Sequence, residues 1–367
     1  MLDRRVVKQE APSSLSEQIK KGSFREVLII KPSSLGDIVH ALPAVGAIRK
    51  RFGQARISWL VKPEWADLLK GHPFIDEVIS APFSWEGLPK LIRSVRKRPF
   101  DLVIDLQGLF RSAFLGFLTT APFRIGFSNA REGAPWFYTD LVSVPAGVVH
   151  AVDRYRMIAK GLGASPQEVG FGLASSPDSV FSVNCLLKEI GLSESDVYAV
   201  IHPTARWESK KWPAEWFAKI GDWLVEEKKM PLLFIGSQGE REEVDRVLSM
   251  MKQPASNLAG RTTLIESAAL IERARFFVCN DSGPMHLAAA VGTPVLALFG
   301  PTDPGRVGPY GSGHTVIQKK IDCVGCGRER CVRENQCMKA ISIEEVRTAI
   351  EEKWISLEGK ANALSGP

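Results

Sequence analysis

Short apolar runs alternate along this chain with longer segments in which apolar residues recur at helical spacing. Residues 27–31 form the first run, and Ile38, Leu42, Val45 and Ile48 follow at intervals of three or four. Such a run is typical of a strand buried on both faces, and the spacing predicts a helix. Similar runs occupy residues 57–61, 101–108, 198–203, 231–235, 276–280 and 295–299. The alternation predicts an α/β fold with parallel sheets.

Two strand-and-helix series follow each other, separated by a stretch rich in Gly, Pro and Ser at residues 163–178. They predict two doubly wound, Rossmann-like domains that face each other across a cleft. The polar first residues predict a loosely ordered extension, and the last amphipathic pattern predicts a carboxyl-terminal helix. We divide the chain into an extension at 1–23, an amino-terminal domain at 24–175, a carboxyl-terminal domain at 176–345, and a helix and tail at 346–367.

Polar residues follow the strand predicted at 276–280. Asn280 and Asp281 end the apolar run, and Ser282-Gly283-Pro284 leads into an Ala-rich helix. Ser282 is suited to cap that helix, and Pro284 fits its first turn because the N–H that it lacks would be unpaired there. The helix start favours an anion, while Asn280 and Asp281 offer acceptors to sugar hydroxyls. An ordinary strand-turn-helix corner is the alternative interpretation.

A second corner of this kind lies near the amino terminus. The run at 27–31 passes through a loop containing Ser and Gly into a helix with Asp37 in or near its first turn. Open α/β sheets bind ligands at the carboxyl ends of their strands, so Asp37 lies where a ligand is expected.

Several nucleotide-binding motifs are missing from the sequence. It has no G-x-G-x-x-G followed by a ribose-binding acid and no G-x-x-x-x-G-K-[ST], which disfavours nicotinamide and P-loop binding. No D-x-D pair stands at a strand end, and a metal-dependent sugar-diphosphate transferase usually needs one.

Composition and charge narrow the partners. The hydrophobic content of 45% is that of a globular protein, and the net charge of +6 favours acidic partners such as nucleotide phosphates or an anionic membrane surface. A nucleic-acid partner is disfavoured because no basic-aromatic pattern accompanies the charge. The sequence has no apolar run long enough for a membrane span and no signal-peptide core, which predicts a cytoplasmic protein. The basic segment 88–98 is either a lipid-facing or a solvated helix.

Five motifs in sequence resemble those of the ADP-heptose:lipopolysaccharide heptosyltransferases, glycosyltransferase family 9. They are K-P-S-S-L-G-D-I-V-H-A-L-P-A from Lys31, I-D-L-Q-G from Ile104, H-P-T-A-R with K-K-W-P from His202, N-D-S-G-P-M-H-L-A-A-A from Asn280, and F-G-P-T-D-P from Phe299. The first motif most resembles heptosyltransferase I, which adds heptose to the Kdo of lipid A. The resemblance implies the GT-B fold.

The resemblance also implies roles for individual residues. Asp37 matches the general base of an inverting displacement, and Lys210 matches a lysine that stabilises the leaving phosphate. The implied donor-binding residues are Thr204, Lys211, Glu240, Asp281, Ser282, Gly283 and His286. The implied acceptor-binding residues are Gln107, Arg111 and Arg131.

Each of these roles has a structural alternative. Asp37 and Glu240 are also suited to the first turn of a helix, where an acid compensates the helix dipole. Lys210 and Lys211 fit a solvated basic turn and are able to exchange roles. His286 fits a buried structural position equally well.

Four cysteines crowd into residues 323–337. Cys323, Cys326, Cys331 and Cys337 are separated by two, four and five residues. Their number and soft character suit a structural zinc or iron, and reduced thiols or a disulfide pair are the alternatives.

We therefore expect an inverting glycosyltransferase that moves L-glycero-D-manno-heptose from ADP-heptose to the Kdo region of the lipopolysaccharide core. It would need no cofactor for catalysis and would work peripherally at the cytoplasmic face of the inner membrane. The alternatives are the same chemistry on another acceptor, such as a second heptose or a protein, and a non-catalytic protein that binds a sugar nucleotide or a metal.

Overall fold

A computed structural model of the chain describes residue 19 and residues 22–83, 87–165 and 169–364. The chain divides into two compact units, the first ending at Gly172 and the second beginning at Leu173. Most of the predicted extension at 1–23 lies outside the described residues. Each unit is built around its own six-stranded sheet.

The first unit alternates strands and helices, as the sequence pattern predicts. Its elements are β1 (Glu26–Ile30), α1 (Leu35–Arg51), β2 (Arg56–Val61), α2 (Ala66–Leu69), β3 (Glu77–Ser80), α3 (Leu88–Arg96), β4 (Leu102–Asp105), α4 (Phe110–Leu118), β5 (Phe123–Phe127), β6 (Asp140–Val142) and α5 (Ala151–Gly161). All neighbouring strands run parallel in the order β3-β2-β1-β4-β5-β6. β1 lies inside the sheet, and its apolar residues 27–30 are completely buried.

The second unit repeats this architecture. Its elements are α6 (Pro177–Glu189), β7 (Ala199–His202), α7 (Ala214–Lys228), β8 (Leu232–Phe234), α8 (Arg241–Ser249), β9 (Ser256–Asn257), α9 (Leu264–Glu272), β10 (Phe277–Asn280), α10 (Gly283–Ala290), β11 (Val295–Phe299), α11 (Pro304–Val307), β12 (Thr315–Gln318), α12 (Gln336–Lys339) and α13 (Ile343–Leu364). The parallel strands lie in the order β12-β11-β10-β7-β8-β9.

Both sheets have the strand order of a Rossmann fold. In the first sheet that order is 3-2-1-4-5-6, and the second sheet has the same order when β7 is counted as its first strand. The order reverses between β1 and β4 in one sheet and between β7 and β10 in the other. The predicted α/β fold with two doubly wound sheets is confirmed, and each switch point marks where a ligand is expected.

Four elements differ from the sequence prediction. β6 and β12 are edge strands of three and four residues, too short and too exposed to produce an apolar run. α6 begins inside the stretch predicted as a linker, where the Ser176 hydroxyl accepts from the Ser179 amide and Pro177 opens the helix. The last helix, predicted within the helix and tail at 346–367, begins earlier, at Ile343, and its residues Val346 and Ile350 pack into the core of the second unit.

His72 is a buried histidine that the sequence does not single out. Its Nδ1 accepts a hydrogen bond from the Phe74 amide at 3.3 Å, and its Nε2 lies 3.1 Å from the Phe171 carbonyl. This pattern requires the neutral ring with its hydrogen on Nε2. Burial lowers the pKa of His72 from 6.5 to about 4.

We expect His72 to make the free energy of unfolding depend on pH. Below 6.5 the unfolded chain binds a proton that the folded chain excludes, so stability is lost as the pH falls towards 4. Between pH 7 and pH 5 this contribution is about 2 kcal/mol. The His72→Gln variant has no group that titrates at this position. The free energy of unfolding of wild type should therefore fall by about 2 kcal/mol more than that of the variant between pH 7 and pH 5. Urea unfolding at the two pH values measures it, and a pH-independent difference would contradict the assignment.

Candidate active site

The corner between β1 and α1 fixes the carboxylate of Asp37. Its Oδ2 accepts hydrogen bonds from the Ser34 amide at 3.2 Å and from the Ser34 hydroxyl at 3.0 Å. Lys31 Nζ lies 3.8 Å from the same oxygen, and Tyr155 on α5 makes a further hydrogen bond with the carboxylate. The side chain of Asp37 is nevertheless 43% exposed. Asp37 therefore belongs to a capping box, as the alternative interpretation expects, and still has a face open to solvent.

The surroundings of Asp37 favour its charged form. Burial raises the pKa of Asp37, but the Lys31 charge and the Ser34 hydrogen bonds outweigh burial and hold that pKa below its ordinary value. Lys31 is almost completely buried, which lowers the pKa of its ammonium, while Asp37 and Asp105 act in the opposite direction. The Asp37 carboxylate is therefore ionised at neutral pH and able to accept a proton.

Asp105 organises the loop that follows β4. It accepts hydrogen bonds from the amides of Gln107 at 2.8 Å and Gly108 at 3.1 Å, and from the hydroxyls of Ser112 at 2.8 Å and Tyr138 at 2.7 Å. Complete burial raises the pKa of Asp105, and the four hydrogen bonds oppose that rise without cancelling it. Asp105 is thus a structural centre on which the neighbouring loop depends.

The three predicted acceptor-binding residues lie after β4 and β5, two of them on loops and one at the start of α4. The Arg131 amide donates to the Gly108 carbonyl at 3.0 Å, which joins the two loops, and its side chain is exposed. Arg111 lies in the first turn of α4 and donates to the Phe83 carbonyl at 3.1 Å. The side-chain oxygen of Gln107 is buried and has no hydrogen-bond partner among the described residues.

In the second unit, His202 at the end of β7 joins three polar residues. Its Nε2 lies 3.0 Å from the Thr204 hydroxyl, and its Nδ1 lies 3.0 Å from the Ser282 hydroxyl after β10. The Thr204 hydroxyl donates to Glu240. Because Thr204 has only one hydrogen and donates it to Glu240, it accepts from His202, so Nε2 of the ring carries a hydrogen.

Glu240 receives hydrogen bonds on both carboxylate oxygens. One oxygen accepts from Thr204, and the other accepts from the Ser237 amide and hydroxyl, each at 2.7 Å. Burial raises the pKa of Glu240, but the hydrogen bonds and the nearby His202 outweigh burial and hold that pKa well below its ordinary value. Glu240 therefore both caps its own helical turn and connects the loop after β8 to the one after β7.

The structure distinguishes the two adjacent lysines. Lys210 Nζ lies 2.7 Å from Asp281 Oδ2, where Asp281 is 5% exposed and also accepts a hydrogen bond from the Thr302 hydroxyl. Lys211 instead pairs with Glu208 at 2.9 Å and Glu243 at 3.0 Å. Lys210 thus points towards the β7–β10 switch point, where Asp281 lies. Lys211 belongs to an ion-pair cluster whose side chains are more exposed.

The helix start after β10 differs in one detail from the prediction. Ser282 precedes α10, but its side chain makes no capping hydrogen bond, so the predicted cap is wrong. Its hydroxyl contacts His202 on the neighbouring strand because parallel pairing brings the two strand ends together. Gly283 is the first residue of α10, Pro284 lies in its first turn as predicted, and His286 is buried on the same helix.

Comparison with known proteins adds to this geometry. Residues 88–337 match the profile of glycosyltransferase family 9 (heptosyltransferase). The chain belongs to this family of glycosyltransferases. Lipopolysaccharide heptosyltransferase 1 of Salmonella typhimurium is 32% identical to it over 311 residues, which cover 78% of this chain and 91% of the relative. The protein of the same name from Pseudomonas aeruginosa is 29% identical over 320 residues, covering 83% and 87%.

A solved structure of the same family agrees with the fold of this glycosyltransferase. Escherichia coli heptosyltransferase WaaC with ADP superposes with a TM-score of 0.72 at 26% identity, covering 89% of this chain and 99% of the other. The predicted enzyme class and family are confirmed. Within the described residues, no helix combines the length and apolar character that a membrane crossing requires.

Several polar residues at the strand ends of this glycosyltransferase are not among the site residues predicted from the sequence. Lys31, Asp105 and His202 lie at or just after strand ends in both sheets. All three belong to motifs shared with the family, and that membership could have identified them as site residues. Thr302 lies within the F-G-P-T-D-P motif and contacts Asp281 across the ends of neighbouring strands. Tyr138 gave no such signal, because it follows a short turn far from any predicted strand.

The cysteine segment supports the turn that carries Lys210. The Ser209 hydroxyl donates to the Arg328 carbonyl at 2.6 Å, and the Asn335 side-chain amide donates to the Glu208 carbonyl at 2.8 Å. Two residues of the segment, Arg328 and Asn335, therefore hold both sides of the Glu208–Lys210 turn.

The four cysteines of this segment are free thiols. Cys337 is buried, which raises the pKa of its thiol, and Cys326 is exposed. Across the described ranges, no three His, Cys, Asp or Glu side chains are arranged to hold a metal ion. Among the described residues, the segment does not provide the tetrahedral ligand set that the predicted zinc or iron requires.

We expect the two lysines to differ in their contribution to stability. Lys210→Met leaves the nearly buried Asp281 carboxylate without its counterion and should lower the free energy of unfolding by about 3 kcal/mol. Lys211→Met, the matched control, breaks more exposed pairs and should cost less than about 1 kcal/mol. Chemical unfolding of both variants measures this difference, and equal losses would count against a special Lys210–Asp281 pair.

Proposed function

We propose that this enzyme transfers heptose from ADP-heptose to the Kdo region of the lipopolysaccharide core, with inversion at the anomeric carbon. The acceptor hydroxyl gives its proton to Asp37 as its oxygen bonds to the anomeric carbon. The bond from that carbon to the β-phosphate oxygen breaks, and ADP leaves with the electron pair. The single observation that carries this proposal is the ionised, oriented and part-exposed Asp37 carboxylate at the β1–β4 switch point.

The donor role of the second unit is supported by where its polar residues stand. Thr204 and Lys210 follow β7, Glu240 follows β8, and Asp281 and Ser282 follow β10, which are three neighbouring strands of one sheet. The leaving phosphate is stabilised by Lys210 and by the backbone amides at Ser282 and Gly283. Stabilisation by these groups requires no divalent metal. Lys211, Glu240, Asp281 and His286 complete the proposed donor site, with Glu240 on the ribose and Asp281 on heptose hydroxyls.

The acceptor role of the first unit rests on an equivalent arrangement. Gln107 and Arg111 follow β4, which lies next to β1 in the sheet, and Arg131 follows β5, the strand beyond β4. Arginines suit the phosphates and carboxylates of a lipid-linked acceptor, because a guanidinium pairs with such groups through two hydrogen bonds. The names of the Salmonella and Pseudomonas relatives support this acceptor class. We propose that the enzyme acts peripherally at the cytoplasmic face of the inner membrane, where such an acceptor is embedded.

The test is ADP release from ADP-heptose with Kdo-lipid A, in the presence of a metal chelator. We expect Asp37→Asn to lower the turnover by at least about 100-fold, because a general base contributes that much or more. Wild-type turnover should be unchanged by the chelator.

Ser34→Ala is the matched control for this experiment. It removes the hydroxyl that caps α1 and contacts Asp37 but keeps the carboxylate, so it should lose no more than about tenfold in turnover. Undiminished transfer by Asp37→Asn would refute the base assignment, and equal losses in both variants would point to the cap. Turnover only with heptosyl-Kdo-lipid A would replace the acceptor with a second core heptose.

A further inference from the structure

Five aromatic side chains, three exposed and two half-buried, form a cluster at the surface of the first unit, which we call the aromatic patch. Phe110, Phe114 and Phe117 lie on the outward side of α4, and Phe137 contacts all three with ring centroids 5.4 to 5.9 Å apart. Trp136 beside Phe137 is 87% exposed, and Phe117 is 46% exposed. The patch is therefore open to solvent at Phe110, Phe117 and Trp136, whereas Phe114 and Phe137 are half-buried.

The patch is not needed to complete the core. Positions 110, 114 and 117 are spaced by four and three residues and share one face of α4, while Ala113 and Leu115 of the same helix are buried. Gly133 has a positive φ of 73°, and the Trp136 ring lies so close that a Cβ there would be 3.2 Å from it. The ring thus lies over its own loop instead of over the sheet. An exposed cluster of this size marks an interaction site.

Basic side chains lie along one side of the patch. The Arg124 guanidinium lies 5.5 Å from the centre of the Phe117 ring, and Arg111 is on the same helix as the phenylalanines. α3 is tied to the end of α4, because Arg96 Nε donates to the Leu118 carbonyl at 3.1 Å.

The exposed face of α3 extends the positive charge. Arg93, Arg96 and Lys97 at its carboxyl-terminal end are all exposed. One carboxylate is close to the start of α4, where Glu132 accepts a hydrogen bond from the Phe110 amide at 3.2 Å. The surface as a whole is aromatic in its centre and positive along one side.

We propose that the aromatic patch, together with the exposed face of α3, docks on an anionic lipid bilayer. Tryptophan and phenylalanine enter the headgroup region, where an aromatic ring is stable, while arginine and lysine reach lipid phosphates. A rim in which positive side chains outnumber the single carboxylate of Glu132 is complementary to the uniform negative charge of an anionic bilayer. The inference rests on the proposed function, in which the acceptor is a membrane lipid, and Arg111 connects the patch to the proposed acceptor residues.

Co-sedimentation of the full chain with vesicles tests the docking surface. Wild type should bind phosphatidylglycerol–phosphatidylethanolamine vesicles and bind phosphatidylcholine vesicles much less. Trp136→Ser should bind the anionic vesicles about tenfold more weakly, because it removes a large apolar side chain from the interface. Arg93→Ser and Lys97→Ser should each weaken that binding about fivefold and leave the phosphatidylcholine result unchanged.

Phe181→Ser is the matched control, since Phe181 is 71% exposed on α6 of the second unit, outside the patch. It should bind vesicles like wild type. Vesicle binding that is equal in Trp136→Ser and wild type would overturn the proposal. Light scattering that finds dimers in wild type and monomers in Trp136→Ser would also overturn it, because a second copy would then cover the patch.

A transfer assay separates this inference from the proposed function. With a deacylated Kdo acceptor in solution, Trp136→Ser should transfer heptose at the wild-type rate, whereas on Kdo-lipid A in vesicles it should be slower. Loss of transfer to the deacylated acceptor in this variant would mean that the patch serves the reaction itself and would contradict a docking role. Wild-type vesicle binding without heptose transfer would refute the proposed function and leave the docking surface standing.

Discussion

Burial of the central strands on both faces is the constraint on which the rest of this structure depends. A strand with apolar residues on both sides, such as β1, has no room for polar side chains along its length. Polar groups therefore collect where the strands end, and the parallel arrangement brings all carboxyl ends to one edge. Because the strand order reverses at β1–β4 and at β7–β10, the loops diverge there and leave space for a ligand.

The charged side chains at the two switch points are paired differently. In the first unit a buried Lys31 keeps Asp37 ionised while part of the carboxylate stays open to solvent. In the second unit Lys210 and Asp281 form an ion pair. A ligand therefore gains access to either side chain only by replacing the other one as its partner. An ionised carboxylate with one side open to solvent, as at Asp37, suits a proton acceptor. A lysine beside a carboxylate, as at Lys210 and Asp281, suits a sugar nucleotide that carries both phosphates and hydroxyl groups. The difference follows from side chains, because the two backbones share one topology.

Much of the fold could be predicted because its signals are local. The apolar run before Asp37 and the one before Asn280 each identify a central strand, and the small-residue turns after them identify helix starts. β6 and β12 gave no such signal, because an edge strand is buried on fewer sides and its residues alternate less strictly. The Ser282 cap was predicted wrongly because a local rule could not include His202, which lies 80 residues away in sequence.

The sequence by itself determined the fold class, the family and the stretches that carry the candidate chemistry, since periodicity and motifs are properties of neighbouring residues. Only the tertiary structure decided that Lys210, and not Lys211, pairs with Asp281, and that His202 links Thr204 to Ser282. The Lys210–Asp281 and His202–Ser282 contacts each join the end of β7 to the end of β10. Their partners are set by strand order and by which side of a turn faces the sheet, and neither can be read from spacing along the chain.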